Sequence, residues 1–490
     1  MNEVYDVAII GGGVVGCAIA RELSRYRLKT VLLEKYAEVG FGTTKTNSGI
    51  VHAGHHSSPD TLKGQLVVRG NEMFDELQEE LGFGFRRCGE IVVAQDEEEM
   101  EHLKELQAMG EKKGVAGLEM WDQERLRKEE PNLSTHLVGA LHAPTAGVIN
   151  PYEFAFALIE CAQQNGAQLL VEFAVEEIVQ DEKSLTVVAE DGRHVTAKYV
   201  LNAAGVHSDV IAKLVGLEEF SIQPRKGEEY MLDKRLQGIV KRLVFPVPKG
   251  KSKGTLIIPT YDGTIMVGPT AEEVEDRYDF TTTNKGSDKV FEFVSKICPS
   301  IHARHTIAEF AGLRAASNTG DFIIGTTSVR GFINVAGVQS PGLTASPAIA
   351  QYVVNILGKE GLPLVEKESF EAHVKPPPRF AQLKPIKQRE LAESDPLFGR
   401  VVCRCELVTE AEIHQAIDHG ARTIDGVKFR TRAGMGRCQG GFCSARIMEI
   451  LSERLEIPIT EVTKRGKSSW IVTPMMDDAQ ECCCSCQGKE

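Results

Sequence analysis

Positive charge is in short supply in this chain, and the shortage removes a class of function. Its 490 residues carry 56 Lys and Arg against 69 Asp and Glu, a formal charge of -13. A phosphate backbone is therefore not expected as the main partner, and no nucleic-acid role is read from the sequence. Long apolar runs are missing as well. No stretch of about 18 apolar residues occurs, so no transmembrane helix is expected and membrane association would come only through a partner. No basic segment precedes the first apolar run; Val7 to Ile10 stops at glycines and reads as a strand, so no targeting segment is expected. There is no internal repeat. Paired cysteines are absent from most of the length: Cys17, Cys88, Cys161 and Cys298 stand singly, while the other eight of the 12 crowd into roughly the last ninety residues. That distribution excludes a secreted disulfide scaffold and suits a reducing cytoplasm with a local metal or cluster site.

What is present is ordinary globular composition, 42% hydrophobic and 26% charged, in a chain too long for one core. Tyr5 to Ile10 reads as a strand, Cys17 to Ser24 as a helix and Thr30 to Leu33 as a second strand, a βαβ unit. Further strands are read at Glu90 to Ala94, Gln168 to Phe173, Leu185 to Ala189, Tyr199 to Leu201, Thr255 to Ile258, Thr264 to Val267 and Phe332 to Ala336. Helices are read at Gly70 to Glu80 and Glu97 to Lys113. Lys375-Pro376-Pro377-Pro378-Arg379 is a stiff extended stretch. The division expected is 1–374, a linker over 375–399, a compact unit over 400–456, and a tail over 457–490.

Gly11, Gly13 and Gly16 satisfy G-x-G-x-x-G between the first strand and its helix. The first glycine makes the turn, the second admits a pyrophosphate against the backbone, and the third lets the helix pack closely with its N-terminus toward the anion. Glu34 ends the second strand, where a carboxylate accepts ribose hydroxyl hydrogen bonds. The run Val200 to Gly205, with Ala204 and Gly205, resembles the later flavin-binding segment of two-dinucleotide-binding-domain flavoproteins. Gly337 to Thr344, with Gly342, Leu343 and Thr344, resembles their flavin-ring loop, leading into a helix at Pro347. Together these favour FAD.

Over Tyr5 to about Gly358 the sequence resembles the D-amino-acid-oxidase-like FAD oxidoreductases, most closely their glycerol-3-phosphate dehydrogenase/oxidase branch. The resemblance rests on the glycine fingerprint, on Thr44-Lys45-Thr46-Asn47-Ser48-Gly49-Ile50-Val51-His52-Ala53-Gly54, on Gly312-Leu313-Arg314, and on Ser340-Pro341-Gly342-Leu343-Thr344. It implies an α/β fold: a Rossmann-type FAD-binding domain with an inserted mixed-sheet substrate domain. Thr44, Asn47 and Ser48 are implied on the cofactor side. Oxidising a secondary alcohol needs a hydride acceptor, which the flavin supplies, and a base for the hydroxyl proton. The resemblance gives that role to His52, with a structural imidazole or a covalent flavin link as alternatives. It gives Arg314 the substrate anion, a surface or interdomain salt bridge being the competing reading, and puts Lys253 and Ser340 on the substrate side. His55 and His56 are read as loop residues.

Cys403-Arg404-Cys405 and Cys438-Gln439-Gly440-Gly441-Phe442-Cys443 form a C-x-C…C-x4-C set, able to hold a [2Fe–2S] cluster or zinc. Over about Val401 to Glu456 the spacing resembles the bacterioferritin-associated-ferredoxin type of [2Fe–2S] domain, expected to be small and helical. Arg404, Lys428, Arg430, Arg432 and Arg437 surround the ligands, to raise the cluster potential by offsetting thiolate charge, to dock an acidic partner, or as a solvated basic face. Cys482 to Cys486 is read as a disordered thiol-rich end, with a second metal or a partner-supplied site as the alternative. The reading that follows is a cytoplasmic FAD-linked dehydrogenase, peripheral at the inner membrane face at most. It takes a small substrate, a phosphorylated polyol or a hydroxy or amino acid, with further flavin or iron–sulfur subunits leading to a quinone pool. A 2-hydroxy-acid or amino-acid dehydrogenase is the alternative within the class, and a non-catalytic electron-transfer subunit the alternative outside it.

Overall fold

Val4–Ile10, helix Val14–Leu23 and Thr30–Leu33 follow one another as a parallel βαβ unit, with Val7 opposite Thr30 and Ile10 opposite Leu33. The computed structural model in which this is seen describes residues 4–248 and 254–473. The last four residues of the first strand are buried, as a parallel strand covered by helices on both faces requires. On its other side Val4–Ile10 pairs in parallel with His194–Asn202, which pairs in parallel with Phe332–Ala336. Antiparallel Val175–Gln180 and Leu185–Ala189, parallel Gln168–Leu170 and antiparallel Ile323–Thr326 complete an eight-stranded sheet among the described residues. Helices Val14–Leu23, Pro151–Gln164 and Gly342–Lys359 pack together and bury their apolar faces.

A second, mixed sheet has nine strands among the described residues. Its longest pair is Ile222–Leu232 against Thr306–Ser317, antiparallel from Ile222 opposite Ser317 to Leu232 opposite Thr306. Ile265–Gly268, Leu256–Pro259, Leu243–Pro246, Glu90–Ala94, Gly139–Ala143 and Glu119–Asp122 follow in that order, and Leu243–Pro246 with Glu90–Ala94 is parallel. Apolar side chains on its two faces form separate clusters, one around Trp121 and Tyr230, the other around Leu141 and Phe245.

By its contacts the chain divides into a first unit of 1–35 with 39–376, and a second of 36–38 with 377 onward. In the second, Val401–Cys403 pairs with Val408–Thr409, and helices Glu410–Asp418, Ile424–Thr431 and Ser444–Leu455 enclose Ile413, Val427, Ile447 and Leu451. Thr409 and Glu412 cap the first of these helices reciprocally, each side chain bonding the other's backbone N–H.

Three local readings differ from the structure. The helix read over 70–80 is two, Leu62–Glu72 and Phe74–Leu81. The earlier one starts at a Thr61 cap and buries Gly64, Gly70 and Asn71, small and polar residues that leave little apolar periodicity to read. The helix read from Pro347 starts at Gly342; Pro347 has no N–H for the Leu343 carbonyl, and the Ser346 hydroxyl donates to it instead at 2.9 Å. Within 375–399, read as linker, lies helix Pro385–Ser394, flanked by buried Phe380 and Phe398. No helix among the described residues is long and apolar enough to cross a membrane.

Candidate functional site

The glycine loop at 11–16 is built by close approaches that only hydrogen side chains allow. A Cβ on Gly11, whose φ is +108°, would stand 2.4 Å from the Ala203 carbonyl oxygen, and one on Gly16 would stand 2.0 Å from that of Gly11. Helix Val14–Leu23 begins here with Gly13 as its N-cap and no side chain of Gly13 to close it. The Val14 N–H donates to Thr44 Oγ1 at 3.0 Å, bringing the 43–46 turn beside the helix start. The Glu34 carboxylate, nearly buried, accepts from the Gly12 N–H at 2.7 Å. Ala204 and Gly205 follow the strand end that abuts Gly11. Bare backbone at a helix N-terminus with an acidic group at the next strand end fits the pyrophosphate and ribose of a dinucleotide.

The 44–54 segment then runs past this loop into a small three-stranded sheet, where Ile50–Val51 pairs with Gly147–Ile149. Asn47 folds it into a turn, donating to the Thr44 carbonyl at 2.6 Å and accepting from the Gly49 N–H at 2.7 Å. His52 is held by its backbone: its N–H donates to Thr344 Oγ1 at 3.0 Å and its carbonyl accepts from Asn71 Nδ2 at 2.9 Å. Thr344 is wholly buried and follows Leu343 at the start of helix Gly342–Lys359. The imidazole is thereby aimed, with Nε2 3.3 Å from Ser340 Oγ and Nδ1 3.8 Å from Glu90 Oε2. The other Glu90 oxygen lies 3.3 Å from His55 Nδ1, and His55 and Glu90 are both wholly buried. His55, read as a loop residue, lies in a turn that is packed inside, and the His56 ring makes tilted contacts with His55 and with Phe245. Glu90 went unnoticed in the sequence because it heads an apolar strand; an acid at the buried end of such a run was the available signal.

Arg314 lies on Thr306–Ser317, opposite Arg225. Its guanidinium reaches across Gly227: a Cβ there would stand 2.7 Å from Arg314 Nη2. It donates to the Thr270 carbonyl at 3.4 Å from both Nη atoms, and no carboxylate lies within ion-pair distance of it among the described residues. Gly312, two residues before, makes room for the 43–48 segment, since its Cβ would meet Thr46 at 2.5 Å, and Thr43 Oγ1 donates to the Leu313 carbonyl at 2.7 Å. Ser48 Oγ donates at 2.5 Å to Glu229, a buried residue that sequence reading missed inside the charged run Lys226 to Glu229. Burial pushes the Glu229 carboxyl up to about 7, against the Ser48 hydrogen bond and the positive charge of Arg314, which pull it down. Lys253 and the Cys482–Cys486 run lie outside the described residues.

In the second unit the four spaced cysteines come together. Cys405 Sγ and Cys438 Sγ are 3.6 Å apart, Cys403 and Cys443 are hydrogen-bond partners, and each pair feels the charge of the other. Sharing a proton with Cys443 pulls the Cys403 thiol down to about 6. Backbone N–H groups of Gly434 and Glu406 point at Cys403, and those of Phe442 and Gly440 at Cys438. Four converging sulfurs ringed by amide donors fit a thiolate-ligated iron–sulfur centre, whose negative charge those donors offset. The turns carrying them need left-handed backbone at Gly434 and Gly440.

Residues 6–356 match the family of FAD dependent oxidoreductases, and residues 401–453 the BFD-like [2Fe-2S] binding domain. The chain is 43% identical to a glycerol 3-phosphate dehydrogenase of Caloramator mitchellensis over 473 residues, 96% of this chain and 98% of that relative. A glycerol 3-phosphate oxidase of Mycoplasma pneumoniae is 30% identical over 72% of this chain and 95% of its own. The solved structure of the dithionite-reduced L-alpha-glycerophosphate oxidase of that organism, with FAD bound, superposes with a TM-score of 0.73 over 76% of this chain and 99% of that one. A mitochondrial L-2-hydroxyglutarate dehydrogenase of Homo sapiens is 30% identical over 57% of this chain and 65% of its own length.

Proposed function

Since the chain belongs to the FAD dependent oxidoreductases and ends in a BFD-like [2Fe-2S] binding domain, we propose that it oxidises sn-glycerol 3-phosphate to dihydroxyacetone phosphate. The observation that carries this reading is the likeness to a glycerol 3-phosphate dehydrogenase along 96% of the chain, through both units. The glycine loop, Glu34, the 44–48 turn, Ala204, Gly205 and the Gly342–Thr344 helix start would hold the FAD, and Cys403, Cys405, Cys438 and Cys443 the cluster. When bound, the flavin supplies a two-electron acceptor and the cluster a one-electron carrier toward a partner subunit or quinone pool.

The protein's own part is positioning and proton transfer. The substrate needs a fixed cation for its phosphate, and a guanidinium gives two parallel donors to one oxyanion; Arg314, half-buried and without a carboxylate partner within ion-pair reach among the described residues, supplies it. The hydroxyl proton needs a base. With Glu90 beside Nδ1, the imidazole of His52 keeps its proton on that side and presents the Nε2 lone pair beside Ser340. Ser340 Oγ is placed to share a hydrogen bond with the same substrate oxygen.

An arginine holds a carboxylate as well as a phosphate, so substrate choice is the test. Anaerobic flavin bleaching should be fastest with sn-glycerol 3-phosphate and very slow with unphosphorylated glycerol. If L-2-hydroxyglutarate, lactate or proline exceeds it about tenfold in kcat/KM, a difference of about 1.4 kcal/mol in transition-state binding, the phosphate reading fails and a 2-hydroxy-acid or amino-acid dehydrogenase takes its place. An absence of bleaching with every substrate would instead leave an electron-transfer subunit.

A further inference from the structure

Glu229 has one hydrogen bond where an ionised carboxylate needs several. Oε1 accepts from Ser48, while Oε2 is enclosed and has no hydrogen-bond partner among the described residues. A buried carboxylate so poorly solvated favours its protonated form. The strand pair places it next to the anion site. Gly227 and Glu229 share a face of Ile222–Leu232, and the Arg314 guanidinium lies across Gly227. The groups facing Glu229 are few. The 43–48 segment offers the Ser48 hydroxyl, Thr306–Ser317 offers Arg314, and the opposite residue on that strand is Phe310. The 268–270 segment brings the uncharged backbone of Gly268 against its Cγ. Arg225, on its own strand, acts on Arg314. Among the described residues Arg314 is the charged side chain that acts on Glu229.

We propose that Glu229 makes anion binding at Arg314 proton-coupled: the substrate oxyanion is held while the Glu229 carboxyl is protonated and is released when it ionises. An ionised Glu229 would neutralise the guanidinium and repel the incoming anion in a site of low polarizability, where both effects are strong. By linkage the bound anion favours the protonated carboxyl, so substrate binding above neutral pH takes up a proton. The acid that rejects the anion at high pH is thus separate from His52, the base of the oxidation. The inference rests on the reading of Arg314 as the substrate-anion site.

Steady-state KM for sn-glycerol 3-phosphate is measured from pH 6 to 9 in the wild type, Glu229→Gln and Arg314→Ala. The substrate's phosphate itself titrates near pH 6, about its usual second pKa, and the wild-type to Glu229→Gln ratio cancels that. The expected ratio is flat in acid and rises about tenfold or more toward pH 9, a coupling of ordinary size for linked sites. Glu229→Gln keeps the Ser48 hydrogen bond, and flavin content reports whether it folds. Ser48→Ala gives an independent check in the acid itself. Losing the one bond to the ionised form should move the wild-type break upward by about half a unit to one pH unit. A ratio constant within twofold, or a break that Ser48→Ala does not move, overturns the proposal. If Arg314→Ala leaves KM unchanged, the anion-site reading fails as well; if it raises KM while the ratio stays flat, only the proton coupling fails.

Discussion

At the scale of single residues, His52 is the side chain proposed to take the hydroxyl proton. Its backbone is fixed on both sides by Thr344 and Asn71, so replacing the imidazole should leave the loop in place. His52→Gln should slow flavin reduction by sn-glycerol 3-phosphate by about 100-fold to 10,000-fold, the range for a general base, with FAD content unchanged. Stopped-flow bleaching at the wild-type rate would exclude it as the base. His52 stood out in the sequence because it sits in a motif whose spacing carries meaning, and the structure sets its Nε2 beside Ser340. Glu90 and Glu229 did not stand out, although both are buried. A lone acid within a strand reads as a solvated charge, and the partner that gives it a role lies 181 residues away for Glu229 and Ser48. No local pattern encodes such a pairing.

At the scale of elements, the proposed substrate side rests on two strands that carry a glycine each. Gly227 lets the Arg314 guanidinium cross its own strand pair, and Gly312 lets the 43–48 segment lie flat on the same pair. Gly227→Ala would bring a Cβ to 2.7 Å from Arg314 Nη2 and 3.0 Å from the Thr270 carbonyl oxygen. The arginine tip is the softer neighbour and should move. The variant should therefore raise KM for sn-glycerol 3-phosphate about tenfold, the loss of roughly one charge-assisted contact, while flavin content and fold by circular dichroism are retained. A wild-type KM would mean the guanidinium does not need that path. The strands that were legible are those of mainly apolar character, such as Thr30–Leu33, Glu90–Ala94 and Phe332–Ala336. Ile222–Leu232 was missed, since Pro224-Arg225-Lys226-Gly227-Glu228-Glu229 looks like a solvated loop. Those charges are buried because each finds a partner: Lys226 meets Asp279 at 2.7 Å, and Glu228 accepts from Tyr230 and Thr283. Tertiary pairing overrode composition.

At the scale of the whole molecule, the two cofactor-binding regions belong to units with separate apolar cores. Cys403→Ser should accordingly abolish bound iron while FAD remains stoichiometric and is still bleached by substrate; loss of both on the single change would show that the units do not stand alone. The order in which the chain leaves the ribosome treats these regions differently. The buried apolar core of the cysteine unit is drawn from 403–462, whereas Val4–Ile10 pairs with His194–Asn202, and that strand with Phe332–Ala336. The first strand synthesised thus waits for some of the last strands of its own unit, and Thr344, which pins His52, comes later still. Such distant pairing makes closure slow and keeps apolar strands exposed meanwhile. A nascent chain halted before residue 330 would hold a finished glycine loop and most of its sheet, yet lack Phe332–Ala336 and the Gly342–Thr344 helix start that complete the pocket, so flavin capture is expected late in biosynthesis, gated by elongation.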